Sequence, residues 1–242
     1  MDGQASEKDS VRRKIWTLME QSGIARFPRP VFGRIPNFVG AEAAARRLSE
    51  QAEFESARIV KVNPDAPQRK VRMVVLSSGK ILVMPSPRLR KGFIVIDPRK
   101  ILEGFLSEAS TIRGAFKHGQ FCSLRDLPRI DLVVAGSVAV SLDGVRIGKG
   151  GGYSELEYGI LRELDLAQED TPILTTVHDV KVVDRVPREP HDLVVDAIVT
   201  PTQIIRIKRR SPRPKGIIWK LITSDMLDDM PILAELKRKT GN

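Results

Sequence analysis

The chain has 242 residues, 41% hydrophobic and 29% charged, with 40 Lys and Arg against 30 Asp and Glu for a formal charge of +10. That length allows one large domain or two small ones with a sizeable core. No apolar run approaches the roughly 20 residues of a membrane helix. The polar start MDGQASEKDS lacks a signal peptide's apolar centre, so no membrane partner is expected. The lone Cys122 has no internal disulfide partner, which fits a cytoplasmic protein. The basic excess favours anionic partners, from nucleotides to nucleic acid, without choosing among them.

In chain order, the first predicted helix runs from Ser10 as N-cap to Gln21, with Val11, Ile15, Leu18 and Met19 as its apolar stripe and Gly23 as stop signal. RFPRPVFGRIPNFVG is rich in proline and glycine and reads as an irregular ordered crossing. A helix follows through AEAAARRLSEQAEF, with Ala41, Ala44, Ala45 and Leu48 at helical spacing. ARIVKV reads as a strand. DAPQRKVRMVVLSSGK reads as a helix, on Asp65 as cap, Pro67 just inside and Gly79 at its end. KILVMP, GFIVID, DLVVAGSVAV, PILTTV and DLVVDAIVT read as strands, IIRIK and GIIWKLI as weaker ones. Helices fit YSELEYGILRELDL and SDMLDDMPILAELKRK, the latter shortened or kinked at Pro231. Apolar strands interleaved with helices predict an α/β fold, an open, largely parallel sheet with helices on both faces. With no repeat or low-complexity linker, one domain over 1–242 is expected, with a basic extension from about residue 202.

Asp143 to Leu161, DGVRIGKGGGYSELEYGIL, sets five glycines between Gly144 and Gly152, between a predicted strand and a predicted helix. A glycine-rich strand-to-helix turn can aim backbone N–H groups at a phosphate, helped by the helix N-terminus. Gly148, Gly150, Gly151 and Gly152 would let the backbone approach closely, and Arg146 and Lys149 could neutralise the charge. The loop is neither a Walker A motif nor a dinucleotide fingerprint, because Lys149 precedes a glycine and Tyr153 stands where the third glycine belongs. The competing reading is a tight structural turn beside a solvated cation.

The pattern Gly144-x-Arg146-x-Gly148-x-Gly150-Gly151-Gly152-Tyr153 resembles the signature loop of the 5-formyltetrahydrofolate cyclo-ligases, or methenyltetrahydrofolate synthetases. VPREPHDLVVDAIVTP is similar to that family's C-terminal segment, and Lys8 and Arg12 fit its N-terminal basic pattern. RFPRPV, RIPNFVGAEAAARRL, VKVNPDAPQRKVR and MPSPRLRKGF resemble the methenyltetrahydrofolate synthetase domain-containing branch. The resemblance runs from about Lys8 to Pro201. It implies a cyclo-ligase-like sheet, ATP and Mg2+ as cofactors, a reduced folate as substrate, and 5,10-methenyltetrahydrofolate formed through a phosphorylated formyl group. Lys8, Arg12, Arg146 and Lys149 would hold phosphates with the loop glycines and Tyr153; Arg146, Lys149 and Glu155 would be catalytic; Glu155 and Asp192 would hold the metal. Two departures stand out. Tyr153-Ser154-Glu155-Leu156 replaces Tyr-Tyr-Asp-Arg, and AGSVAV replaces Pro-Gly-x-Ala-Phe. Nucleotide binding therefore transfers better than folate chemistry.

Bland readings compete. Glu155 suits a helix first turn, Asp192 a strand-entry cap, and His178 and His191 are too far apart in sequence for a zinc pair. IKRRSPRPKG is either a solvated basic loop or a patch for nucleic acid, though it has no aromatic residue to stack bases. Arg34 and Asn37 are weak substrate-side candidates. Two alternative functions follow: a divergent nucleotide-binding relative acting on another cofactor-related substrate, for example in thiamin salvage, or a basic nucleic-acid-binding protein that kept the fold.

Overall fold

The structure is a computed structural model describing residues 2–209 and 212–241. α1 (Asp2–Gln21) leads into a short ribbon, β1 (Ala25–Arg26) against β2 (Asn37–Phe38), then α2 (Ala41–Ser49) and α3 (Ala52–Ser56). β3 (Ile59–Val62), α4 (Gln68–Ser77) and β4 (Ile81–Pro85) form the first parallel crossover. β5 (Phe93–Ile96), α5 (Leu106–Ala109), α6 (Ile112–His118) and β6 (Gln120–Cys122) extend one edge, and β7 (Leu132–Ala135) returns to the other side of β3. The hairpin β8 (Ala139–Ser141) and β9 (Arg146–Ile147) delivers the glycine loop to α7 (Tyr153–Glu163). β10 (Ile173–Thr176), β11 (Val182–Val183), β12 (Ala197–Val199) and β13 (Ile204–Arg206) precede α8 (Ser224–Asp229) and α9 (Pro231–Thr240).

Eight strands form the main sheet in the order β13-β12-β10-β7-β3-β4-β5-β6. From β12 to β4 every neighbour is parallel, and the edge pairs β12–β13, β4–β5 and β5–β6 are antiparallel. The expected open, largely parallel sheet is present. Period-two alternation sorts its side chains between two layers. Val60, Val62, Leu82, Leu132 and Val134 meet α2 and α4 through Leu48, Val71 and Val75. Val83, Val133 and Ile173 belong to the core cluster that holds Ile160 and Leu161 of α7 and Leu233 of α9. Helices cover both faces. A third cluster joins Ile15, Trp16 and Met19 of α1 to Ala139 and Ile147 of the small sheet β11-β8-β9, which fixes α1 beside the glycine loop.

Several local expectations are corrected. α1 begins at Asp2, so Ser10 lies inside the helix; Ala5, Glu7 and Lys8 are good helix formers that carry it upstream. Its buried stripe uses Trp16, while Leu18 is exposed. The α4 reading holds, but Pro67 occupies the cap and the Asp65 carboxylate turns to Lys149. DLVVAGSVAV splits at Gly136 into β7 and β8, and DLVVDAIVT contributes only Ala197–Val199 to the main sheet. GIIWKLI is no strand: β13 already ends the sheet, and Trp219–Leu221 coils into a 3-10 turn. α5, α6 and β6 have no counterpart among the predicted elements. Met230 alone separates α8 from α9, and Pro231 opens α9 in its first turn, where a proline is tolerated.

Candidate active site

In open α/β sheets, ligands bind at the carboxyl ends of strands where the chain reverses its direction of spread. Here that point lies between β3 and β7, since the chain first adds β4 on one side of β3 and later β7 on the other. Asn63 follows β3, and its Oδ1 accepts from the Gly136 N–H after β7 at 3.1 Å. Its Nδ2 donates to Glu157 at 2.6 Å and to Ser154 Oγ at 3.2 Å. Lys61 points from β3 towards α7 and donates to Glu157 at 2.5 Å, both fully buried. Burial pushes the Glu157 carboxyl up, against the pull of Lys61. Arg72 donates to the Asn63 and Ser110 carbonyls at 2.6 and 2.8 Å, and burial brings its pKa down to about 9. These groups form a buried, hydrogen-bonded polar floor.

The glycine loop lies over that floor. Arg146, 1% exposed, points inward from β9. Its Nε and Nη2 donate to the Gly136 carbonyl at 3.1 and 2.8 Å, and its Nη1 pairs with Glu155. Gly150 and Gly152 hold φ of +110° and +64°, values that favour glycine, and Gly152 starts α7. A Cβ at Gly148 would lie 2.8 Å from Arg146 Nη2, and one at Gly151 would lie 2.5 Å from the Tyr153 ring. Lys149 stays on the rim, its Nζ 3.0 Å from Asp65.

Lys8 and Arg12, one helical turn apart, share a face of α1. Arg12 Nε donates to the Gly148 carbonyl at 2.8 Å. Lys8 Nζ donates to both Asp192 oxygens at 2.8 and 2.7 Å and to Glu189 at 2.5 Å; this bond draws the Glu189 carboxyl below its usual range. Glu189, His191 and Asp192 present ligand atoms within 4.8 Å of one another. Of the expected metal pair, Asp192 belongs to this cluster, whereas Glu155 is held by Arg146; both border one cavity with Lys8 and Arg12. Sequence reasoning missed Glu189, although E-x-H-D in PREPHD already has ligand spacing. It also missed Lys61, Asn63 and Glu157, whose buried network joins two stretches far apart in sequence.

Three cavities meet at Gly152 and Glu155. The first holds Lys8, Arg12 and Asp192; the second holds Asn63, Asp65, Arg88, Lys149 and Tyr153; the third is an apolar cleft. Arg34 and Asn37 lie in a neighbouring groove that shares Asp65 and Lys149 with the second. Two arginines of the basic stretch turn inward. Arg209 and Arg213 pair with Asp196, and Arg209 also pairs with Glu169. Arg210 and Ser211 lie outside the described residues. Among the described residues, no helix is long and apolar enough to cross a membrane.

A loop-capped crevice at the switch point of a mostly parallel sheet marks a ligand-binding α/β protein. The model of the 5-formyltetrahydrofolate cyclo-ligase family matches residues 4–201, and the chain belongs to that family. It is similar to the methenyltetrahydrofolate synthase domain-containing proteins of Mus musculus and Homo sapiens, 44% and 40% identical over 237 residues. Those matches cover 96% of this chain but 63% and 62% of the relatives, so the chain spans less than two thirds of their length. The structure of Aquifex aeolicus 5,10-methenyltetrahydrofolate synthetase shares the fold, with TM-score 0.53 and 18% identity over 89% of this chain and 99% of that one.

Proposed function

We propose that the chain is an ATP- and Mg2+-dependent cyclo-ligase acting on 5-formyltetrahydrofolate. The carrying observation is the convergence of the glycine loop, Lys8, Arg12 and the carboxylates on one cavity at the carboxyl ends of the sheet. In this reading the formyl oxygen takes the γ-phosphoryl group of ATP and ADP leaves. A neighbouring folate nitrogen then attacks the activated carbon, and phosphate leaves as 5,10-methenyltetrahydrofolate forms. Lys8, Arg12, Lys149 and the N–H groups of Gly150 to Gly152 hold phosphate oxygens, because such transfer depends mainly on positioning and charge stabilisation. Arg146, buried on Gly136 and Glu155, orients the loop and Glu155. Tyr153 walls the acceptor side.

The donors also suit magnesium, which prefers hard oxygen ligands. Lys8 already places a positive charge among Asp192 and Glu189, so this carboxylate pair attracts a cation. Asp192 and Glu189, with Glu155 across the cavity, would hold the ion, which supplies charge neutralisation of the phosphates. Lys8 would then turn from the carboxylates to a phosphate.

The test is ADP release and methenyl absorbance with 5-formyltetrahydrofolate and Mg-ATP. Absence of folate-dependent ADP release, with nucleotide binding intact, overturns the folate assignment. A second reading, a different acceptor, is favoured by Ser154 and Leu156: a hydroxyl bonded to Asn63 and a leucine in the apolar cleft stand where the family has tyrosine and arginine. ADP release with another acceptor would select it.

A further inference from the structure

The apolar cleft takes no part in the phosphoryl transfer and ring closure proposed above. Leu156 of α7 forms one wall, and Ile217, Ile218, Leu221, Ile222 and Met226 form the other. All five of the latter lie beyond residue 201, where the family match ends. The cleft has a volume of about 230 Å³, below the roughly 300–1,000 Å³ of sites that take a whole drug-sized ligand, so it suits a single ring. Leu221 keeps 42% of its surface exposed at the rim, so the cleft has an uncovered apolar wall.

Position indicates what the cleft accepts. Gly152, Glu155 and His191 border both the cleft and the cavity holding Lys8 and Arg12. An anionic chain lying on the glycine loop therefore has an apolar slot directly beside it. The cavity with Asn63, Asp65, Arg88 and Lys149 is polar and suits a hydrogen-bonding acceptor instead. A molecule joining a polyphosphate to a flat, weakly polar ring fits the cleft and the loop together.

We propose that the segment 214–226 builds a nucleobase slot, in which the ring of a nucleoside polyphosphate packs between Leu156 and the Ile218–Leu221 side while its phosphates lie on the glycine loop. This rests on the nucleotide-binding part of the reading above. The slot acts through apolar burial, so it strengthens binding of the nucleoside without touching the phosphates.

Calorimetry of wild type and Leu221→Ser, with ATP and with inorganic tripolyphosphate, both with magnesium, separates the two contributions. Leu221 is half-exposed, so the fold tolerates serine. The expected result is about tenfold weaker ATP binding, the effect of one lost packed side chain, with tripolyphosphate affinity unchanged within about twofold. Equal weakening of both ligands, or no change in either, overturns the slot while leaving nucleotide binding at the loop intact. A variant that spares ATP but weakens 5-formyltetrahydrofolate gives the cleft to the acceptor ring and also overturns it. Wild type that binds neither polyphosphate removes the nucleotide reading itself, and the slot with it.

Discussion

Two lysine–carboxylate pairs border the same crevice and differ in almost everything but chemistry. Lys61 and Glu157 meet at 2.5 Å with side chains 1% and 4% exposed, beneath the loop and between sheet and helix. Lys149 and Asp65 meet at 3.0 Å, with Lys149 41% exposed on the rim. A buried pair is costly to form and far costlier to break, because removing one partner strands a charge without solvent. An exposed pair contributes little and is readily exchanged. The floor therefore reads as scaffold, and the rim as the part that can let go of its partner and take a ligand.

The largest effect should come from breaking the floor. Glu157→Ala leaves Lys61 buried and unpaired, and should destabilise the fold by about 3–5 kcal/mol, read from urea unfolding. Replacing both together, Lys61→Met with Glu157→Leu, should recover most of that loss, since an apolar pair needs no compensation. A single variant costing less than about 1 kcal/mol would mean that the floor pair is solvated like the rim pair.

A second buried lysine sharpens the contrast because it has no carboxylate. Lys181 is fully buried, and its Nζ has no hydrogen-bond partner among the described residues; it lies 5.3 Å from the Phe38 ring centroid. Burial brings its pKa down to about 7, with nearby Arg146 adding to the shift and Asp65 opposing it. The unfolded lysine titrates near the ordinary value of about 10.4, so between about pH 7 and 10 the unfolded state holds the extra proton and stability rises with pH. Lys181→Met should thus be more stable than wild type at pH 6–7. That advantage should shrink by up to about 1.4 kcal/mol per pH unit as pH rises towards 10. A pH-independent gap between the two would show Lys181 charged in the folded protein.

On the rim, Lys149→Ala should change stability by no more than about 0.5 kcal/mol. Nucleotide affinity should fall by about 1.5–3 kcal/mol, the value of a charge-assisted phosphate contact. Equal affinity in the two proteins would take Lys149 out of the site.

The same division between rim and floor explains what the sequence disclosed. The rim is local: Arg146, Lys149, the loop glycines and Tyr153 fall within a few residues, and their spacing carries the signal. Lys8 and Arg12 were legible only through the family's N-terminal basic pattern, because the predicted helix began at Ser10 and left Lys8 outside it; the sheet was visible in its β-branched runs. The floor is assembled across the fold: Lys61, Asn63, Arg72, Gly136 and Glu157 come together only when β3, β7 and α7 pack. In sequence Lys61 is one cation within a strand and Glu157 one charge within a helical stripe. α5 and α6 are too short to register a helical period, and GIIWKLI has strand composition without a neighbour to pair with.

The smallest expected effect is also the most direct test of exchange on the rim. Asp65 accepts from Lys149 through its side chain, while its backbone carbonyl accepts from Gln68 N–H and from Arg72. Asp65→Asn keeps the shape and the backbone bonds but removes the charge that competes with a phosphate for Lys149. Stability should shift by less than about 1 kcal/mol, as for other partly exposed pairs. Nucleotide should bind a few-fold tighter, because the freed lysine no longer has to leave a carboxylate and one repulsive charge near the phosphates is gone. The gain should fade as salt rises, since the Debye length falls from about 10 Å at 0.1 M to about 3 Å at 1 M. In a Lys149→Ala background the same substitution should retain only the repulsion part of that gain. Calorimetry of the four proteins at two salt concentrations reads the coupling directly. Weaker binding by Asp65→Asn would instead make the carboxylate a nucleotide or metal contact, and Lys149 its counter-ion.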